Sequence, residues 1–215
     1  MTTNQNAVRV LRSDDPEAAR LLDAGARVVS ESWGARLTVT AEVLATCCTA
    51  VEVARSAGWV VRALAPEEAA ALVALDATAA ADYPVTAATS HDVPDAAALA
   101  AALAAGERWA FGAFAADGRL DAATVLYPEG DRVDIDLTVT RAAARRRGLA
   151  TAVKGAAVLA LAEAGHTLFG TGGAGDNVGS RRANEALGYV VTERWLHLRV
   201  PTAGTTPGGR PLTAW

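Results

Sequence analysis

Between Asp131 and Tyr189 the hydrophobic pattern changes period across a single turn, and that change limits what the chain can become. Val133, Ile135, Leu137 and Val139 alternate with Asp134, Asp136, Thr138 and Thr140, a period of two that reads as a strand with one apolar face. Arg141 to Arg147 form a short Arg-rich turn. From Gly148 the spacing becomes Leu149, Val153, Ala156, Ala157 and Ala160, which is helical. A strand thus delivers the chain to a turn, and the turn opens a helix. The first amides of a helix lack internal partners and point out of its start. Arg145, Arg146 and Arg147 stand at that spot. The pattern describes a polyanion site, most simply one for a phosphate-rich cofactor.

Composition narrows the partners. The 215 residues give room for one large domain, or one domain and a small one. Hydrophobic residues make up 51%, and much of that is alanine, so the core is sizeable and the helices should be thin and closely packed. The net charge of −4 argues against nucleic acid, whose binding wants a basic surface. The arginines are a local cluster in an acidic protein and suit a small anion better than a duplex. Cys47 and Cys48 are adjacent in an apolar stretch, with no His or Cys at metal spacing around them. They read as buried side chains rather than a disulfide framework or a metal site. MTTNQNAVRV has no apolar run of a signal peptide, and no stretch is long and apolar enough for a membrane span. The expectation is a cytoplasmic protein with no membrane partner and no metal.

Along the chain, Val8 to Leu11 reads as a strand, and Asp14 or Asp15 with Pro16 starts a helix ending near Gly25. Ala26 to Trp33 and Ala35 to Val39 read as strands separated by a turn at Gly34. Thr40 to Ala57 is a helix, Trp59 to Leu64 a strand, and helices start at Pro66 and Pro94. Arg108 to Ala115 and Leu120 to Tyr127 make a hairpin, and Pro128 to Asp131 the next turn. After the Gly148 helix come a strand at Thr167 to Thr171, a Gly-rich loop, a helix from Val178 to Leu187 and a strand from Val190 to Val200. Antiparallel strands followed by a strand-helix-strand crossover define a mixed α/β (α+β) fold around one mainly antiparallel sheet, with helices on both faces. Three segments follow: residues 1–57 as an N-terminal α/β extension, 58–200 as the main domain, and 201–215 as an irregular tail. An internal echo links LLDAGARVVSESWGARLTV (21–39) with EALGYVVTERWLHLRV (185–200). Chance similarity and a degenerate duplicated half-domain packing on the main sheet both remain open. Residues 1–57 would then cap the sheet or form a homodimer contact.

Gly170-Thr171-Gly172-Gly173-Ala174-Gly175 spells the dinucleotide fingerprint G-x-G-x-x-G. Too little chain remains after Gly175 for the parallel strands of such a domain. A turn, or a flexible loop over the reacting site, is the better reading.

Arg145-Arg146-Arg147-Gly148-Leu149-Ala150 resembles the R/Q-x-x-G-x-G/A signature of the GNAT superfamily of acyl-CoA-dependent N-acyltransferases. Leu137-Thr138-Val139 precedes it like that family's core strand. Asn177-Val178-Gly179-Ser180 and Asn184-Glu185-Ala186-Leu187-Gly188-Tyr189 resemble the N-x-x-(M/S)…N-x-x-LG(F/Y) ending of a branch that includes mycothiol-synthase-like actinobacterial enzymes. The resemblance spans roughly residues 58–200. It implies a GNAT-type fold, acetyl-CoA as cofactor, and transfer of its acetyl group to a primary amine of a small molecule or peptide. A non-catalytic acyl-CoA-binding module is the alternative.

The residues fit that implication physically. Gly148 and Ala150 are small enough for backbone amides to reach a diphosphate. Arg145, Arg146 and Arg147 add charge-assisted hydrogen bonds, and Leu149 and Thr151 complete the helix start. The resemblance places the pantetheine arm along Leu137 and Val139, with a Val139 backbone group as oxyanion donor, and Asn177 and Ser180 beside the arm. Asp134 or Asp136 could act as base through water or hold a cationic acceptor, or each could simply occupy the exposed face of a strand. Many members carry a tyrosine acid four residues before the closing glycine. Asn184 stands there instead and cannot give up a proton, although it can still bind cofactor. The acceptor pocket is expected around Asp82, Tyr83, Thr86 and His91, with Asp134 beside it.

Overall fold

The computed structural model describes residues 8–80 and 95–201. Its elements are β1 (Val8–Arg12), α1 (Pro16–Asp23), β2 (Arg27–Thr38), α2 (Ala41–Ser56), β3 (Val60–Ala63), α3 (Ala69–Ala79), α4 (Ala96–Ala104), β4 (Trp109–Phe114), β5 (Leu120–Glu129), β6 (Arg132–Thr140), α5 (Leu149–Glu163), β7 (Leu168–Ala174), α6 (Val178–Glu185) and β8 (Val190–Arg199). The strands form one sheet in the order β1-β8-β2-β7-β6-β5-β4-β3. Every neighbouring pair is antiparallel except β6 with β7. The fold class is the expected one. Short polar side chains start the helices: Asp15 accepts from the Glu17 amide at 2.8 Å, Thr40 from Val43 at 3.2 Å, and Asp95 from Ala98 at 2.8 Å.

Helices cover both faces. On one, α2 and α5 bury Cys47, Ala157, Val158 and Leu161 against Leu37, Phe111, Leu126, Val133 and Phe169. On the other, α3 and α4 bury Leu72, Leu75 and Leu99 against Ala123, Val125, Leu137 and Val139. Alanine permits thin layers. Ala54, Ala113, Ala122, Ala144 and Ala152 form a cluster with Leu149 and Val153. Where α5 crosses α2, a Cβ on Gly155 would lie 3.2 Å from the Cys47 carbonyl oxygen.

Residues 27–56, expected in an N-terminal extension, are built into the sheet and core. β2 lies between β7 and β8. The two segments that echo each other in sequence fall at like places in two strand-helix-strand units. β1-α1-β2 and β7-α6-β8 are two parallel strand-helix-strand units, and each has one strand of the other inserted between its own two strands. Each short helix is followed by a glycine of positive φ, Gly25 at +90° and Gly188 at +98°. The pairing is reciprocal: Trp33 opposes Arg194, and Trp195 opposes Ser32. The two units are therefore related by a local two-fold through the β2–β8 ladder.

Four local expectations are corrected. Gly34 is not a turn; β2 runs through it beside Glu193, with a register shift at Gly34/Ala35. The strand of β5 continues through Pro128 and Glu129, which shortens the turn to Gly130 and Asp131. The glycine-rich segment is mostly strand: Gly170, Gly172 and Gly173 pair with β2. These glycines leave room for side chains. A Cβ on Gly170 would sit 1.9 Å from Asp134 Oδ1, and one on Gly173 would sit 2.9 Å from the Trp33 ring.

The fourth correction concerns β6. Leu126 opposes Ile135 and Val125 opposes Leu137, so Asp136 is an extra residue at a register shift. The bulge reverses the alternation. Val133 and Ile135 pack toward α2 and α5, whereas Leu137 and Val139 pack toward α3 and α4. Asp134, Asp136, Thr138 and Thr140 accordingly do not share one face. The close α2–α5 approach yields a prediction: Gly155→Leu should lower stability by about 3 kcal/mol in urea denaturation, because the backbone of α2 must move.

Candidate active site

β6 and β7 pair only through Val133–Phe169 and Asp134–Gly170. Beyond Asp134 these parallel neighbours share no further ladder, and a cleft of about 560 Å³ opens. Thr138, Val139 and Thr140 of β6 form one wall, and the start of α5, Gly148 to Thr151, forms the floor. Asn177, Gly179, Arg182 and Ala183 close it from the α6 side, and Ala79 reaches it from the end of α3. Arg145 and Arg146 line it from the turn.

The turn is pinned at both ends. Asp121 on β5 is buried and accepts from Arg141 Nε at 3.0 Å, Arg119 Nε at 2.9 Å and Trp59 Nε1 at 3.1 Å. The Arg141 amide donates to the Asp121 carbonyl at 2.8 Å. At the far end the Arg147 guanidinium lies 5.6 Å from the Trp59 ring centroid. Burial raises the Asp121 carboxyl, but hydrogen bonds from Arg119, Trp59 and Arg141 outweigh it and hold the group below the usual carboxylate range. Between the pins, Arg145 Nε donates to the Thr140 carbonyl at 3.1 Å. Arg146 has φ +61°, and no other non-glycine residue among those described has a positive φ. Gly148 follows at +78° and starts α5 with no side-chain cap. A Cβ there would meet nothing within 4 Å. The glycine is thus required by its left-handed backbone, and its open side faces the cleft.

A mixed sheet parted at its one parallel pair, with a helix opening at the parting, can be compared with known structures. A GCN5-related N-acetyltransferase from Sphaerobacter thermophilus superposes with a TM-score of 0.67 at 15% identity, over 90% of this chain and 59% of that one. The fold is the GNAT fold. A GCN5-related N-acetyltransferase from Kribbella flavida matches with a TM-score of 0.54 at 20% identity, over 94% and 68%. A tandem GNAT protein from the clavulanic acid biosynthesis pathway gives 0.53 at 19%, over 94% and 64%. The chain spans about six tenths of the length of the first and last of these. No protein-family model matches the sequence, and no curated protein matches it significantly.

Within this GNAT fold the sequence-derived residues separate. Val139, Arg145, Arg146, Gly148, Leu149, Ala150, Thr151 and Asn177 are brought together around the cleft. Asn177 does two jobs: its Oδ1 caps α6 by accepting from the Ser180 amide at 3.0 Å, and it lines the cleft. Ser180 takes part through that amide, and its side chain is not in the wall. Arg147 is turned to Trp59. Leu137, on the face set by the bulge, lines a smaller hollow with Asp95, Arg108 and Asp136. Both aspartates are engaged: Asp134 accepts from Arg132 at 2.7 and 3.1 Å, and Asp136 is paired with Arg108. Asp82, Tyr83, Thr86 and His91 lie outside the described residues.

Asn184 is buried behind the wall, where its Oδ1 accepts from Lys154 Nζ at 2.6 Å. Lys154 escaped the sequence reading, yet it left a signal. It is the one charged residue in the apolar run Leu149 to Ala162, and a helix apolar all round is a buried helix. Arg182 and Ala183 could have been found from helical spacing to Gly179. Burial alone lowers the Lys154 pKa from 10.5 to about 7.

Two predictions follow from these buried charges. Between pH values of about 7 and 10.5 the unfolded chain holds a proton on Lys154 that the native state lacks. Stability should therefore rise with pH across that window, and Lys154→Met should flatten the rise in urea titrations. For Asp121 the sign is the same, but the window is acidic. Its contribution is present above the ordinary aspartate value of about 4 and lost as pH falls through the lower native one. Asp121→Ala should cost about 2 kcal/mol at neutral pH, with the gap to wild type closing in acid.

Proposed function

We propose that this chain is an acyl-CoA-dependent N-acyltransferase that moves an acetyl group from acetyl-CoA to a primary amine of a small molecule or peptide in the cytoplasm. The observation that carries the reading is the convergence on one cleft of the open β6 edge, the Arg145–Gly148 turn and the uncapped start of α5. The GNAT fold supports it.

The residues present fit the cofactor. The left-handed Gly148 and small Ala150 leave the first α5 amides accessible to a diphosphate, and Arg145 and Arg146 add positive charge at the same end. Arg182 supplies a third guanidinium from α6. Acetyl-CoA, when bound, supplies a thioester as activated acyl group. Thr138 to Thr140 offer backbone donors and acceptors along an edge that β7 leaves uncovered, and a donor at Val139 would stabilise negative charge on an acyl oxygen.

Among the described residues lining the cleft there is no Asp, Glu or His. None of those described side chains can take the acceptor's proton. Asp136, exposed at the bulge beside Arg108, stands two residues before Thr138 on β6. In its ion pair it serves to hold a cationic acceptor better than to take a proton.

The test is direct. Calorimetry should show CoA binding that Gly148→Glu abolishes, since the new carboxylate enters the diphosphate end and the backbone there is strained. Thiol release from acetyl-CoA with a panel of amines should be faster at higher pH. Unchanged CoA affinity in Gly148→Glu would remove the cofactor assignment. Tight binding without turnover on any amine would leave an acyl-CoA-binding module.

A further inference from the structure

A second hollow, of about 200 Å³, opens beside the bulge in β6. Leu99 of α4, Val125 of β5 and Leu137 of β6 line it together with Asp95, Arg108 and Asp136. The three apolar residues are buried, whereas the Arg108 and Asp136 side chains are 36% and 44% exposed. The hollow is therefore apolar at its base and charged at its mouth. Arg108 is steadied from two sides: Nη1 pairs with Asp136, and the guanidinium lies 5.5 Å from the Tyr127 ring centroid. A guanidinium has five N–H donors, so donors remain for a ligand. Asp95 caps α4 through Oδ1, and that cap does not use Oδ2.

The hollow and the cleft lie on one face of β6. Leu137 lines the first and Val139 the second, and past the bulge both pack toward α3 and α4. Two residues of strand span about 6.6 Å. A molecule seated in the hollow is thus one strand repeat from the wall read above as the place of the acyl group, and the inference rests on that reading. Stability does not explain the charged mouth. An exposed ion pair contributes little, and the bulge that carries Asp136 leaves a residue out of the ladder. Bulges recur beside active sites, where they re-aim a side chain.

We propose that this hollow is the acceptor site and that the acceptor is a free diamino acid of the lysine type. Its carboxylate meets the remaining donors of Arg108, a charge-assisted contact that suits a guanidinium. Its α-ammonium lies between Asp136 and Asp95. The methylene chain runs over Leu137, and four methylenes in staggered, extended form cover about the span from Leu137 to Val139. That leaves the side-chain amine at the cleft wall. As a neutral amine, its nitrogen bonds the acyl carbon while that carbon's bond to sulfur breaks. The electron pair goes to sulfur, the nitrogen loses a proton to solvent, and the thiolate takes one from solvent. The two charges of the head group select the acceptor, and its distance from the wall selects which of the two amines reacts.

Calorimetry on the full chain, with CoA and without it, compares L-lysine with 1,5-diaminopentane, which lacks the carboxylate, and 6-aminohexanoate, which lacks the α-amine. Each analogue should bind about tenfold more weakly than lysine, the loss of one hydrogen-bonded charge. Arg108→Gln should weaken lysine and 6-aminohexanoate and spare 1,5-diaminopentane. Asp136→Asn should weaken lysine and 1,5-diaminopentane and spare 6-aminohexanoate. Both variants should keep CoA affinity, since neither residue lines the cleft. With acetyl-CoA, mass spectrometry should place the acyl group on the side-chain nitrogen of lysine. No lysine binding in either condition, equal affinity for the three compounds, a variant that weakens all three alike, or acylation of the α-nitrogen overturns the proposal. The crossed pattern without CoA binding would overturn the transferase reading instead, and leave the hollow as a diamino-acid site.

Discussion

The separation of β6 from β7 after two paired residues is the constraint on which the rest of the site depends. Parallel neighbours normally stay in register along their length, and here the ladder stops at Asp134–Gly170. A strand edge inside a domain cannot remain unsatisfied without cost, so the gap is a place for something that carries its own donors and acceptors. The bulge at Asp136 lies just past the last paired residue and swings Leu137 and Val139 to the α3/α4 face. The crossover from β6 to β7 must enter α5 at this opening, which places a helix start where the sheet parts.

What gives the opening its cationic rim is a turn that cannot relax. Asp121 and Trp59 hold its two ends from a different part of the sheet. Two left-handed residues, Arg146 and Gly148, carry the curvature between them. Strain of this kind persists where the surroundings over-determine it. The Asp121 network supplies that determination, so a carboxylate that never enters the cleft fixes the cleft's charged rim.

The opposite half of the sheet is organised by interlocking. β1-α1-β2 and β7-α6-β8 each insert a strand into the other, so the unit that presents Asn177 and Arg182 to the cleft is held by β2. The glycines of β7 are part of that contact. Trp33 and Asp134 occupy the space where Cβ atoms would stand at Gly173 and Gly170, which is why letters that spell a phosphate loop form a strand instead.

The strand, the Arg-rich turn, the helix start and the cluster Arg145, Arg146 and Gly148 to Thr151 were legible in the sequence, because each depends on spacing and local backbone chemistry over a few residues, whereas Val139 and Asn177 were reached through the family resemblance. The neighbours of those residues were not. Period two in β6 is broken by a bulge that exists only against β5, so the faces of Asp134, Asp136 and Leu137 could not be read from alternation. The position of β2 between β7 and β8, the ion pairs of both aspartates, and the burial of Lys154 against Asn184 join residues far apart in the chain. Such contacts are chosen by which surfaces pack, and only the tertiary structure decides them.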